Sequence, residues 1–266
     1  MDWIPMEWYM ILAVIGIGFM AGFINTLAGG GSLLTLPLLI FLGLPANVAN
    51  GTNRVALILQ NMVAVGSFRQ QKVLDLKTGI RLALPAIVGS LIGAQIAVNL
   101  NEEVMEKTIG ALLVVMFFII LYKPDKWVKE QVRTGSVRSK TSWLQVPLFF
   151  SIGIYGGFIQ AGVGFFLLAA LVLGAGIDLV RANPIKLLVV LVYNIFALGV
   201  FLFNDQVRFG IGLTLAIGNM LGAFVGSRMA VKRGAGFVRI ILLVTLLLSA
   251  AKLVGLLDPV IGMVTG

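Results

Sequence analysis

The chain has 266 residues, 59% of them apolar and only 12% charged, with a mean hydropathy of +1.03. A soluble domain carries about 25% charged residues, so this chain has too little polar surface for a water-exposed fold and reads as an all-α polytopic membrane protein. Its net charge of +9 sits mainly in loops between apolar stretches, which orients a membrane protein by the positive-inside rule and leaves no role for nucleic acid. With no Cys and no His, disulfides, thiolate or imidazole metal sites, Cys nucleophiles and His acid–base catalysis are excluded. Nothing in the sequence calls for a cofactor or a metal.

Before the first apolar run stand Asp2 and Glu7 and no base. A cleaved signal peptide begins with positive charge, so residues 9–28 are expected to be the first membrane helix. Further apolar segments run over 32–45, 47–66, 78–98, 104–122, 143–163, 165–177, 182–203, 208–229 and 237–257. A crossing needs about 20 residues. The segments 32–45 and 165–177 are too short, and are expected to be half-depth pieces that continue a broken helix. The expected count is eight full spans plus these two.

Between 122 and 143 the chain turns polar and basic, with Lys123, Lys126, Lys129, Arg133, Arg138 and Lys140. This divides it into a first membrane repeat (1–122), a cytoplasmic linker (123–142) and a second membrane repeat (143–266). The two parts resemble each other. At an offset of 133, Ala49-Asn50 matches Ala182-Asn183, Asn61 matches Asn194, Gly66 matches Gly199, Gly89 matches Gly222 and Gly93 matches Gly226. Five segments in each part invert the second relative to the first. The bases of 67–81 and 230–239 and the acids Glu102, Glu103 and Glu106 fit this, with the basic loops cytoplasmic and the acidic connection outside. Both termini would then lie outside.

The stretch that could carry chemistry is the break at Gly29-Gly30-Gly31, flanked by Asn25, Thr26 and Ser32. Backbone freed at membrane depth cannot face lipid, because each unpaired group costs several kcal/mol. It must be buried in protein or line a wet cavity, as in the broken helices of transporters. Thr52, Asn53 and Arg54 follow in the third segment. In the second part Gln160, Gly162 and Gly164 mark a break, and Asn183 and Lys186 open the next helix. Amides, hydroxyls, free backbone N–H groups and buried cations suit an anion. The eleven acids all fall in loops or near segment ends, so no carboxylate is placed for proton or sodium coupling. For Gly89, Gly93, Gly222 and Gly226, spaced by four, helix packing is the expected role. Arg54 and Lys186 divide evenly between the site and snorkelling to the interface. Arg228 and Lys252 are expected to snorkel, and Asn61 and Asn194 to bond between helices. Trp3, Trp8, Trp127 and Trp143 fit interfacial belts.

Gly22-Phe23-Ile24, Gly29-Gly30-Gly31-Ser32, Pro37, Gly43-Leu44-Pro45, Ala49 and Gly51-Thr52-Asn53 resemble the TauE/SafE family, the sulfite exporter and toluene-sulfonate uptake permeases. Gly157-Phe158-Ile159-Gln160-Ala161-Gly162-Val163-Gly164 and Ala182-Asn183 resemble its second motif. The resemblance implies a multi-pass permease of a prokaryotic cytoplasmic membrane that moves sulfur-containing anions such as sulfite, sulfonates or sulfoacetate. Cysteine-relay transport, which it associates with related thiosulfate carriers, does not carry over to a chain without Cys.

The sequence reading is therefore a secondary transporter of two inverted repeats in a lipid bilayer, open to homo-oligomerisation. Its central anion site would be lined by Asn25, Thr26, Gly29, Gly30, Gly31, Ser32, Thr52, Asn53, Arg54, Gln160, Gly162, Gly164, Asn183 and Lys186. One half would rock against the other. Of the two bases, Arg54 is expected to hold the anion more tightly, by bidentate contact. An anion channel is the alternative, and a membrane-embedded enzyme a more remote one.

Overall fold

The computed structural model describes residues 7–122 and 143–253, excepting the side chains of 113, 114, 116–122 and 234–253. Every regular element among the described residues is helical. In the first part these are α1 (Trp8–Leu27), the short α2 (Ser32–Phe41), α3 (Ala46–Gln70), α4 (Leu76–Asn99) and α5 (Glu102–Tyr122). In the second they are α6 (Gln145–Phe158), α7 (Val163–Ala169) continued by a π turn (Ala170–Gly174), α8 (Leu179–Phe203) and α9 (Phe209–Leu253).

Local chemistry sets several of these ends. Asp75 opens α4 by accepting from the Thr78 N–H at 3.1 Å and from the Thr78 hydroxyl at 2.6 Å. Asp178 opens α8 by accepting from the N–H groups of Val180 and Arg181, both at 3.1 Å. Trp8–Leu27, Leu76–Asn99, Leu179–Phe203 and the stretch Phe209–Arg233 are long and apolar enough to cross a bilayer.

The short pieces fall where the sequence placed them, at Ser32–Phe41 and Val163–Gly174. Two expectations are corrected. Residues 143–163 do not form one full span: α6 ends at Phe158 after 14 residues, because Gln160 turns into the left-handed region at φ 67°. The expected loop 230–239 is helix, part of a 45-residue α9 that would extend about 68 Å. Its Ala, Lys and Arg are good helix formers and no Pro intervenes. The basic segment 123–142, with Trp127, lies outside the described residues, as do Trp3 and the side chain of Lys252.

Two glycine-lined helix pairs build the body. In one, Gly18 and Gly22 of α1 face Leu215 and Asn219 of α9, while Gly218 and Gly222 face Ile15 and Phe19. In the other, Gly89 and Gly93 of α4 face Phe150 and Ile154 of α6, while Gly153 and Gly157 face Ala86 and Ser90. At each of these glycines a Cβ would stand closer than 3.0 Å to the partner's backbone, so the side chain must be hydrogen. Gly226 is nearly as tight, 3.2 Å from the Phe23 carbonyl. The packing role expected for these glycines is what the structure shows.

Between the pairs, α3 and α8 are wrapped. Ser67 of α3 meets Ser227 of α9 at 2.7 Å, and the Ser90 hydroxyl of α4 donates to the Tyr193 carbonyl of α8 at 3.2 Å. Polarity is distributed inside-out. Asn50, Asn53, Arg54, Gln60, Asn61, Asn183, Lys186, Asn194 and Asn219 are buried, while Leu84, Val88, Leu213, Ile217 and Leu221 are exposed on the outer faces of α4 and α9. Only a lipid surround makes that arrangement favourable.

Candidate functional site

The site forms where the two helix breaks meet. After α1 the chain turns through Gly29 at φ +89°; after α6 it turns through Gln160 at φ 67° and Gly162 at φ 72°. A non-glycine residue in this region costs about 1–2 kcal/mol, so Gln160 is held there by its surroundings, and it is buried. A Cβ on Gly29 would lie 2.5 Å from the Gly164 Cα, and one on Gly164 would lie 2.9 Å from the Gly29 carbonyl oxygen. The two interruptions, more than a hundred residues apart in sequence, touch backbone to backbone. The Tyr155 hydroxyl braces the second break by donating to the Ala161 carbonyl.

Two bases flank the junction, and each reaches across to the other part of the chain. Arg54 of α3 is 0% exposed. It donates to the carbonyls of Gly156 (3.2 Å) and Gly157 (2.5 Å) at the end of α6 and to the Asn194 side-chain oxygen (2.8 Å). Its guanidinium lies over the Phe201 ring, 4.6 Å from the centroid. Lys186 of α8 is 1% exposed. Its ammonium donates to the carbonyls of Asn25 (3.0 Å) and Thr26 (3.3 Å) at the end of α1. Neither base snorkels, since both are buried. The acids among the described residues are exposed, and neither base makes an ion pair with one. Two cations are thus held inside the protein by carbonyl and amide dipoles and, for Arg54, an aromatic face, next to the negative ends of two broken helices.

Around the bases several buried polar atoms lack a hydrogen-bond partner: the Thr26 hydroxyl, the Gln160 side-chain oxygen and both amide atoms of Asn53 and of Asn183. Ser32 is buried at the start of α2, and Gly30 and Gly31 fill the turn before it. Of the expected residues, Thr52 is also buried, and its hydroxyl already has a partner. Its hydroxyl accepts from the Arg208 N–H at 2.9 Å, fastening α3 to the approach to α9. Asn194 makes the interhelical bond expected of it, whereas the Asn61 side-chain oxygen accepts from Gln60 on its own helix. Arg228 is exposed and rests on Phe224, as a snorkelling base does.

The sequence reading missed four residues here. Asn50 donates to the Phe158 carbonyl at 2.7 Å. Thr35 is buried one turn beyond Ser32 with a partnerless hydroxyl. The partnerless Tyr193 hydroxyl lies 2.7 Å from where a Cβ on Gly156 would stand, and Asn219 is buried with both amide atoms partnerless. The one signal available was a polar residue inside an apolar helix, which Asn219 and Thr35 both carry.

An apolar exterior, a polar interior and a broken-helix junction guarded by buried cations define a membrane transporter. The chain belongs to the family described as "Sulfite exporter TauE/SafE", whose profile it matches over residues 14–253. It is 30% identical to a "Probable membrane transporter protein ORF9" of Sinorhizobium sp over 254 residues, 96% of this chain and 95% of that one. It is 28% identical to the "Probable membrane transporter protein YfcA" of Escherichia coli K12 over 89% of this chain and 87% of the relative. A "Probable membrane transporter protein" of Haemophilus influenzae is 25% identical over 90% of this chain and 92% of its own length. No solved structure gives a significant match.

Proposed function

We propose that the chain is a secondary transporter of sulfur-containing anions such as sulfite, sulfonates or sulfoacetate, with its site at the junction of two inverted repeats. The observation that carries this reading is the pair of buried cations without a carboxylate partner among the described residues. A charge at membrane depth costs roughly 2.5–3.5 kcal/mol even on the lenient insertion scale. Carbonyl dipoles offset part of that cost, and a transient anion completes the compensation. The lining consists of Asn25, Thr26, Gly29–Ser32, Gln160, Gly162 and Gly164, with Asn53 and Asn183 presenting amides and Arg54 and Lys186 supplying the positive field. Thr52 stands at the edge of this set, through its bond to Arg208.

Support for two repeats (1–122 and 143–266, joined by a cytoplasmic 123–142) comes from matched pairings. α1 with α9 and α4 with α6 use the same glycine contacts, and each base closes the broken helix of the other repeat. These swapped pairings make the moving units helix pairs, α1–α9 against α4–α6, rather than the two sequence halves. Proteoliposome uptake of sulfite and of an organic sulfonate tests the reading. Saturable flux with counterflow supports a carrier; non-saturating flux without counterflow indicates a channel, and no flux with any sulfur anion removes the substrate assignment.

A further inference from the structure

We infer that the two buried bases do different work: Lys186, with the Thr26 hydroxyl and the Asn183 amide, forms the subsite that ligates the oxyanion, whereas Arg54, with Asn50, is the permanent cap of α6. The inference rests on the anion-transporter reading and divides its site.

The argument follows the last carbonyls of the two broken helices. A helix leaves its final four carbonyls without intrahelical partners. In α6 all four are satisfied. Tyr155 accepts from the N–H groups of Ile159 and Gln160, Gly156 and Gly157 accept from Arg54, and Phe158 accepts from Asn50. The guanidinium is fixed again by Asn194 and by the Phe201 ring. Turning it toward a ligand would uncover two buried carbonyls and break a planar, three-acceptor arrangement. Arg54 is built into the fold.

The end of α1 is closed more loosely. Ile24 accepts from the N–H groups of Ala28 and Gly29, and Asn25 and Thr26 accept only from the Lys186 ammonium, at 3.0 and 3.3 Å. An ammonium has three donors on a rotatable axis, and two acceptors leave the third free. It can exchange a carbonyl for an anion oxygen without moving either helix. The groups next to it are also unoccupied donors. The Thr26 hydroxyl belongs to a residue whose carbonyl Lys186 already touches. Asn183 lies three residues earlier on the same face of α8, about 5–6 Å away between Cβ atoms, and neither of its amide atoms has a partner. Ammonium, hydroxyl and amide N–H match the three oxygens of a sulfonate or sulfite. Around Arg54 its own Nε–H, the Asn194 amide N–H and the Tyr193 hydroxyl are also without partners, but the guanidinium there is already held by three acceptors and the Phe201 ring.

The test is calorimetric titration of purified protein with sodium sulfite and with sodium sulfoacetate, run beside thermal unfolding. Lys186→Gln is expected to raise Kd more than tenfold. Asn183→Ala raises it severalfold with an unchanged melting temperature. Arg54→Gln acts first on stability, lowering the melting temperature further than Lys186→Gln and costing less affinity. Asn50→Ala lowers the melting temperature at wild-type Kd, and serves if Arg54→Gln does not fold; Asn183→Ala serves if Lys186→Gln does not. A wild-type Kd in both Lys186→Gln and Asn183→Ala overturns the subsite. So does a greater affinity loss in Arg54→Gln than in Lys186→Gln at equal stability. If the wild-type protein itself binds neither anion, the transporter reading fails together with it, and that outcome is distinct from a variant-specific one.

Discussion

Three alanine substitutions separate the two physical constraints on the junction. At Gly29 both operate: the backbone sits at φ +89°, and a Cβ would lie 2.5 Å from the Gly164 Cα. At Gly164 only the contact operates, because its backbone is helical. At Gly43 only the backbone operates, at φ +87° with nothing within 4 Å of a Cβ. Ordinary contact begins near 3.4 Å, so Gly29→Ala must push the two breaks apart by about 0.9 Å. Overpacking of this kind costs about 1–3 kcal/mol, and a left-handed alanine about 1–2 kcal/mol. The expected losses are therefore about 1–2 kcal/mol for Gly43→Ala, 1–3 for Gly164→Ala and 2–5 for Gly29→Ala. Each is reduced by the same few tenths to 1 kcal/mol through the stiffer unfolded chain, which cancels in the comparison. Equilibrium unfolding in mixed micelles, followed by tryptophan fluorescence, ranks the three. The reasoning fails if Gly164→Ala is as stable as wild type, or if Gly29→Ala is no worse than Gly43→Ala.

Gly66, inside α3 about one turn from its C-terminal end and with nothing within 4 Å of a Cβ, gives the opposite sign: Gly66→Ala is expected to stabilise by about 0.5–1 kcal/mol in the same assay. Asp75→Ala removes the α4 cap and is expected to cost about 1 kcal/mol. The Thr78 hydroxyl and N–H hold the Asp75 carboxyl below its ordinary value. The cap therefore acts in full above about pH 4 and fades as the pH falls through the lowered value, so wild type and Asp75→Ala converge in acid and differ at pH 7. For topology, a cysteine replacing Ser136 in the basic 123–142 segment stays unlabelled by an impermeant thiol reagent in intact cells; labelling there reverses the assigned orientation.

The first break was legible because three consecutive glycines are poor helix, and the half-length helices because the apolar runs 32–45 and 165–177 are too short to span a bilayer. The buried bases were legible as anomalies in apolar helices. Their partners were not. That Arg54 closes α6 and Lys186 closes α1 follows from a tertiary crossing that no local spacing encodes. The early end of α6 depends on Gln160 taking a left-handed backbone, for which side-chain type gives little warning. Charges at 230–239 suggested a loop because basic clusters mark membrane loops, yet Lys and Arg also favour helix, and α9 continues through them. The glycine contacts set Gly93 and Gly222 in corresponding places, four residues from the sequence offset of 133. Small residues repeat every turn, so a one-turn slip preserves the match.

The pairing of α1 with α9 has a consequence for synthesis. Gly18 and Gly22 wait for a surface carried by Leu215, Asn219 and Gly222, some 200 residues downstream. At about 5–20 residues per second this is roughly 10–40 s. For that interval α1 lies in the bilayer with its glycine face against lipid, and for most of it Asn25 and Thr26 lack the lysine, 160 residues beyond Thr26, that closes their helix. The helices α1 to α5 therefore leave the ribosome inserted but unassembled, and the final helix completes the fold. A force-sensing translation-arrest series should show its last strong pull as residues near 222 emerge; a complete set of pulls before residue 143 would give helices α1 to α5 a folded life of their own.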